Sequence, residues 1–98
     1  MKIKILLSGI NDLSRGREFY EKQSQGLGDY FLNSIFSDID SLALYAGIHP
    51  LYFGYHRMLS RRFPYAVYYT FEDGASVTVW RILDMRRNPQ ALQKDLQV

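Results

Sequence analysis

Arg61 and Arg62 stand immediately before a run of strand-forming residues, Phe63-Pro64-Tyr65-Ala66-Val67-Tyr68-Tyr69. Arg86 and Arg87 stand just after a second apolar run, Ala75 to Leu83. Arg57 and Arg81 fall inside extended segments. These are six of the twelve basic residues of the chain, and all six are arginine. Guanidinium is planar, permanently charged and offers paired N–H donors, so arginines fixed at strand ends suit phosphate or carboxylate recognition. Arg57, Arg61, Arg62, Arg81, Arg86 and Arg87 are therefore the candidate anion- or target-binding group. The same residues have a simpler use, in which Arg86 and Arg87 pair with Asp84 or Asp95 and the strand ends are solvated.

A second chemistry open to such a cluster is cleavage of RNA by its own 2′-hydroxyl. That reaction needs a base, an acid and a stabiliser of the phosphorane charge. Arg62, Arg81 and Arg87 are candidate stabilisers. His56, beside Arg57, and Asp84, beside the last arginines, are candidate acid–base groups. His49, just before Pro50, is placed to cap a helix C-terminus, and Glu72 belongs to the turn at Asp73-Gly74. These residues do not single out a catalytic set. With no cysteine, disulfides and thiolate metal sites are excluded. No metal-ligand cluster is evident, and Gly26-Leu27-Gly28 is not a phosphate loop, so no metal and no cofactor is expected.

The 98 residues are expected to form one domain, 1–98, with a single modest core. The formal net charge is only +2 but it is unevenly placed. Residues 1–51 carry five basic and six acidic groups, whereas residues 52–88 carry six arginines against Glu72, Asp73 and Asp84. The basic character thus belongs to the second half, which suits a polyanion or an acidic protein partner. The N-terminal Met1 to Ser8 is too short and too charged for a signal peptide. No run approaches the roughly 18 apolar residues of a membrane span. A cytoplasmic protein with no membrane partner is the expectation.

The elements that position the arginines follow from periodicity. Lys2 to Leu6 alternates and then turns apolar, as a first strand does. Asn11 and Asp12 are N-cap residues for a helix over Leu13–Gln25, with Arg17/Glu21 and Glu18/Lys22 as exposed ion pairs. After Gly26-Leu27-Gly28, Asp29 caps a second helix. Its apolar positions Phe31, Leu32, Ile35, Phe36, Ile39, Leu42, Ala43 and Ala46 keep helical spacing until Gly47 and Pro50. Tyr52–Leu59, Phe63–Glu72 and a segment holding Val77, Val79, Arg81 and Leu83 on one face are three strands, the last two joined at Asp73-Gly74. Asn88-Pro89 opens a final helix over Gln90–Leu96. The fold class is α+β, in the order β-α-α-β-β-β(-α). A helical hairpin is expected on one face of a mainly antiparallel sheet, whose other face is open and edged by Arg61, Arg62, Arg86 and Arg87.

With that order, and with the strand pair Arg62-Phe63-Pro64-Tyr65-Ala66-Val67-Tyr68-Tyr69 and Val77-Thr78-Val79-Trp80-Arg81-Ile82-Leu83-Asp84-Met85-Arg86-Arg87-Asn88-Pro89, the chain resembles the RelE/ParE toxin superfamily. These are the toxin halves of bacterial type II toxin–antitoxin pairs. Element order carries the resemblance over nearly the whole chain, and residues 57–89 carry it most specifically, toward the ParE-like, plasmid-stabilisation branch. The resemblance implies a cognate antitoxin, which makes hetero-oligomers with the toxin, and homo-oligomers are open as well. It also implies growth inhibition, through DNA gyrase for ParE-like members or through ribosome-dependent mRNA cleavage for RelE-like members. A third implication is an inactive relative kept as an interaction protein. Arg62, Arg81 and Arg87 match the basic positions of the pattern. Many relatives carry a His where this chain has Asp84, and no His or Tyr follows Trp80 here.

Overall fold

The computed structural model describes residues 1–97. Strand β1 (Lys2–Ile5) leads into α1 (Leu7–Gln23), α2 (Leu27–Asp40) and a single helical turn, α3 (Leu42–Tyr45). Strands β2 (Leu51–Tyr52), β3 (Tyr55–Leu59), β4 (Tyr65–Glu72) and β5 (Ser76–Asp84) follow, and then α4 (Pro89–Leu96). The sheet runs β1-β5-β4-β3-β2, with β1 parallel to β5 and the other neighbours antiparallel. The architecture is α+β, as expected, with one more strand than the periodicity indicates and with the expected second helix broken at Ser41 into α2 and α3.

The extra strand comes from a hairpin inside the segment Tyr52–Leu59. Phe53 and Gly54 take φ of 52° and 86°, so Tyr52 turns back to pair with Tyr55. Two successive left-handed residues match the twist of a tight hairpin. Phe is an unusual occupant of that region, which is why the aromatic run reads as one continuous strand. Asp73 and Gly74 make the turn their identities announce, with φ of 53° and 65°.

Strand alternation divides the interior in two. Tyr65, Val67 and Tyr69 of β4 face α1 and α2, joining Leu13, Tyr20, Phe31, Ile35, Ile39 and Leu42. Ala66 and Tyr68 point the other way and join Leu83 with Leu92 and Leu96 of α4. The second face is therefore partly covered by α4, where the sequence suggests an open face. Asn88 starts α4 by accepting the Gln90 N–H at 2.7 Å, with Pro89 at the first helical position.

The first helix begins six residues before Leu13, its expected start. Leu7 follows β1 directly, and Asp12 lies buried in the helix interior. Asp29 likewise does not cap α2. The capping position is Gly26, with φ of 86°. The Glu21 carboxylate reaches from α1 to accept the Gly26 and Gly28 N–H groups at 3.0 and 2.9 Å. A carboxylate there satisfies free N–H donors and the positive end of the helix dipole together. Arg17 pairs with Asp29 rather than with Glu21. These contacts lock the α1–α2 hairpin where its backbones run closest. A Cβ on Gly28 would lie 2.7 Å from the Arg17 carbonyl oxygen and 2.9 Å from Glu21 Oε1. Gly28→Ala is expected to lose about 1–3 kcal/mol of stability, the usual toll of overpacking against backbone, read as a lower urea midpoint at unchanged slope.

Candidate functional site

The arginines lie at one end of β4 and β5, which are central strands rather than an edge of the sheet. The Tyr65–Asp84 pairing sets Arg61 and Arg62 across from Arg86 and Arg87. What each guanidinium faces is decided by a bulge. Tyr68 pairs with Arg81 but Tyr69 pairs with Val79, so Trp80 is an extra residue in β5. Beyond it the alternation changes phase. Val77, Val79 and Ile82 face the helical hairpin, while Leu83 faces α4. Arg81 thereby leaves the face of Val77 and Val79, on which strict alternation places it. Trp80 itself is held by its indole N–H donating to Thr70 Oγ1 at 2.9 Å.

β1 pairs with β5 only as far as Val79. From Trp80 onward the outer edge of β5 is served by side chains of α1. Ser8 Oγ donates to the Trp80 carbonyl at 2.6 Å, and Asp12 Oδ2 accepts the Ile82 N–H at 2.9 Å. The same Asp12 carboxylate takes two hydrogen bonds from Arg81, at 2.7 and 2.9 Å, and one from Arg15 at 2.8 Å. Arg81 also donates to the Asp95 carbonyl of α4 at 3.1 Å. The Asp95 carboxylate in turn binds Arg87 at 2.6 Å. The hydrogen bonds that Arg81 donates to Asp12 hold it in its charged form and raise its pKa further. A cavity of about 450 Å³ opens here, lined by Arg15, Arg81, Arg87, Asp12, Asp84 and Asp95 among others. Three guanidiniums meet three carboxylates, so its charges are already matched.

Arg86 chelates Asp84, with bonds of 3.0 and 2.7 Å from the guanidinium and 2.9 Å from its own backbone N–H. This pairing lowers the Asp84 pKa. A carboxylate stabilised in its ionised form is a poor proton acceptor near neutrality. His56 pairs with Tyr69 across β3 and β4 and stacks on its ring, 5.1 Å between centroids, on the side of the helical hairpin. Arg57 pairs with Tyr68 and points to the opposite face, as does Arg81. The sheet therefore stands between His56 and these two arginines. His49 does not cap a helix; it bonds Tyr69 Oη through Nδ1.

Among the described residues, Arg57, Arg61 and Arg62 form no ion pair. Arg61 and Arg62 are exposed in the β3–β4 turn, which is tied down by Asp38. That buried carboxylate accepts Ser60 Oγ at 2.8 Å and the Arg61 N–H at 3.3 Å. Arg57 lies over the Tyr52 ring, 3.7 Å from its centre, and with Arg87 lines an apolar groove of about 310 Å³ beside α4. Burial raises the Tyr68 pKa next to it, with Arg57 opposing. The candidate arginines are thus spread over separate surfaces: Arg81 and Arg87 in the neutralised cavity, Arg57 over Tyr52, Arg61 and Arg62 in the free turn. Asp12, which organises the first of these, escapes a reading of the sequence because it sits 69 residues from Arg81.

No family model matches the sequence, and no curated protein matches it. Among solved structures, the fold is similar to that of "Chromosomal ParDE TA system from P. aeruginosa", with a TM-score of 0.68 and 17% identity, over 84% of this chain and 92% of that one. The fold of this chain is therefore shared with a chain of that ParDE system.

Removing the shared carboxylate tests its place in the fold. Asp12→Ala leaves the buried Ile82 N–H without its partner and half-buried Arg81 with Asp95 alone, and is expected to cost about 3–5 kcal/mol. Arg86→Ala, which breaks a more exposed pair, is expected to cost under about 1 kcal/mol. Chemical denaturation of the two variants measures both.

Proposed function

We propose that this chain is the toxin of a bacterial type II toxin–antitoxin pair, that it acts in the cytoplasm by binding its target rather than by cutting RNA, and that a cognate acidic antitoxin neutralises it. Plasmid stabilisation is the biological setting this implies. DNA gyrase is the target suggested by the likeness to ParE-like toxins. The fold supports the toxin assignment. The observation that favours binding over cleavage is the separation of acid–base groups from guanidiniums. His56 lies across the sheet from Arg57 and Arg81, and Asp84 is held ionised by Arg86. In-line attack on a phosphodiester needs such a group within hydrogen-bond reach of the 2′-hydroxyl while a cation holds the phosphate. Binding needs only presented charge, and Arg61 and Arg62 present it on a turn anchored by Asp38.

Induced expression of the chain alone is expected to arrest growth, with purified protein inhibiting gyrase supercoiling and no new mRNA 5′ ends in primer extension. Codon-specific cleavage in translated messages would replace this reading with a ribosome-dependent interferase. Normal growth with unaffected supercoiling would leave an interaction protein without toxicity.

Charge reversal locates the surface. Arg61→Glu with Arg62→Glu is expected to weaken antitoxin or target binding by roughly 100- to 10,000-fold, since each hydrogen-bonded charge pair contributes on the order of 1.5–3 kcal/mol. Thermal stability is expected to stay within about 1 kcal/mol of the parent, because neither side chain is paired in the fold. Isothermal titration and thermal melts on the same samples separate the two effects.

A further inference from the structure

The segment between α3 and β3 includes β2, the outer strand of the sheet, and a buried tyrosine hydroxyl anchors its start. Tyr69 is completely buried. Its Oη accepts the Gly47 N–H at 2.9 Å and lies 2.5 Å from His49 Nδ1. The hydroxyl has a single proton, and His49 Nδ1 is the only acceptor it meets among the described residues. Tyr69 therefore donates to Nδ1, and His49 is neutral with its own proton on Nε2. The His49 carbonyl accepts Nδ1–H of His56 at 2.7 Å, while the His56 ring stacks on Tyr69. One residue on, the Pro50 carbonyl accepts the Arg57 N–H at 2.8 Å. Two residues further, Tyr52 carries the guanidinium of Arg57 on its ring and accepts from it at 3.0 Å.

We propose that His49 is a proton-operated clamp: neutral, it pins residues 47–52 to the sheet through Tyr69; protonated, it releases them, and with them the Tyr52 platform that immobilises Arg57. A proton on Nδ1 turns that atom into a donor facing a donor. The Tyr69 proton then has no acceptor in a buried site, and an unpaired cation stands beside His56. The charged and titratable groups around His49 offer no relief. Tyr69 faces it from β4 and His56 from β3. Tyr45 of α3, Asp38 of α2 and Arg61 of the following turn line the adjoining cavity. The Asp38 carboxylate there is already engaged by Ser60 and the Arg61 N–H. Burial and the nearby His56 lower the His49 pKa below its usual 6.5. A base with a depressed folded pKa binds its proton more readily when released. The clamp is therefore fully closed above about pH 6.5 and weakens as pH falls from there through the folded value. This device is independent of the toxin assignment. It couples acidity to the exposure of one arginine of the basic set.

Amide exchange followed by NMR at pH 7.5 and 5.5, corrected for intrinsic rates, tests it. Protection of the Gly47 and Arg57 amides is expected to fall at the lower pH, because His49 binds its proton more readily once released. Val67 and Ile82 are expected to keep theirs. His49→Asn retains an acceptor near Nδ1 but cannot titrate, and its protection is expected not to depend on pH. Equal protection of wild type at both pH values, or the same loss in His49→Asn, overturns the proposal. Tyr69→Phe gives a second measurement that needs no folded Asn variant. Its His49 midpoint is expected to rise toward 6.5, and a midpoint unchanged from wild type shows that the hydroxyl does not bind Nδ1 and also overturns it.

Discussion

The fold depends on how the open edge of β5 is closed. β1 supplies backbone partners only up to Val79, and a central strand left with unpaired N–H and C=O groups beyond that point would carry a steep desolvation cost. The helix that follows β1 replaces the missing strand with side chains one turn apart, Ser8 for the Trp80 carbonyl and Asp12 for the Ile82 N–H. A buried carboxylate in turn needs cations, and Arg81 provides one. Because Arg81 also bonds Asp95, the same charge pair joins α1, β5 and α4. The layers on the two faces of the sheet are thus connected through one guanidinium at its edge.

That constraint redistributes the basic residues. A group of six arginines in the sequence is one positive surface only if all six are free. Arg81, Arg86 and Arg87 instead spend their charge on Asp12, Asp84 and Asp95. Arg57, Arg61 and Arg62 keep theirs, and all three belong to β3 or the turn that follows it. Of the six arginines, those without an ion pair therefore lie on the β3 side of the sheet, while the end of β5 is held by internal ion pairs. The imidazoles are structural in the same sense. His49 and His56 complete the hydrogen bonding of a buried tyrosine and of the strap that crosses it.

Some elements were legible from residues alone. Asp73-Gly74 needs two left-handed residues and has two types that tolerate them, so that hairpin is local chemistry. Asn88-Pro89 is equally local, since one side chain and one fixed φ start α4. The spacing of Phe31, Ile35, Ile39 and Leu42 identifies the buried stripe of α2 because only that face meets the sheet. Where local signals misled, a distant partner had overridden them. Asp12 resembles an N-cap until Arg81 claims it. Asp29 resembles another, but Glu21 does the capping. Phe36 stands beside apolar neighbours yet remains 42% exposed, because it is one residue, about 100°, off the buried stripe of Phe31, Ile35 and Ile39.

The residues alone specify the α+β class, the helical hairpin and the strand pair around Asp73-Gly74. Each depends on periodicity or on turn residues a few positions apart. Which arginines lack an ion pair, which face each titratable group occupies, and that α4 covers part of the second face are set by the packing in three dimensions. Those outcomes depend on one extra residue at Trp80, which changes the phase of β5, and on ion pairs between groups 69 residues apart. Neither a bulge nor a remote carboxylate leaves a mark on hydrophobic spacing. Charge counted along the chain therefore located the basic half of the protein, while charge paired in space settled what that half presents.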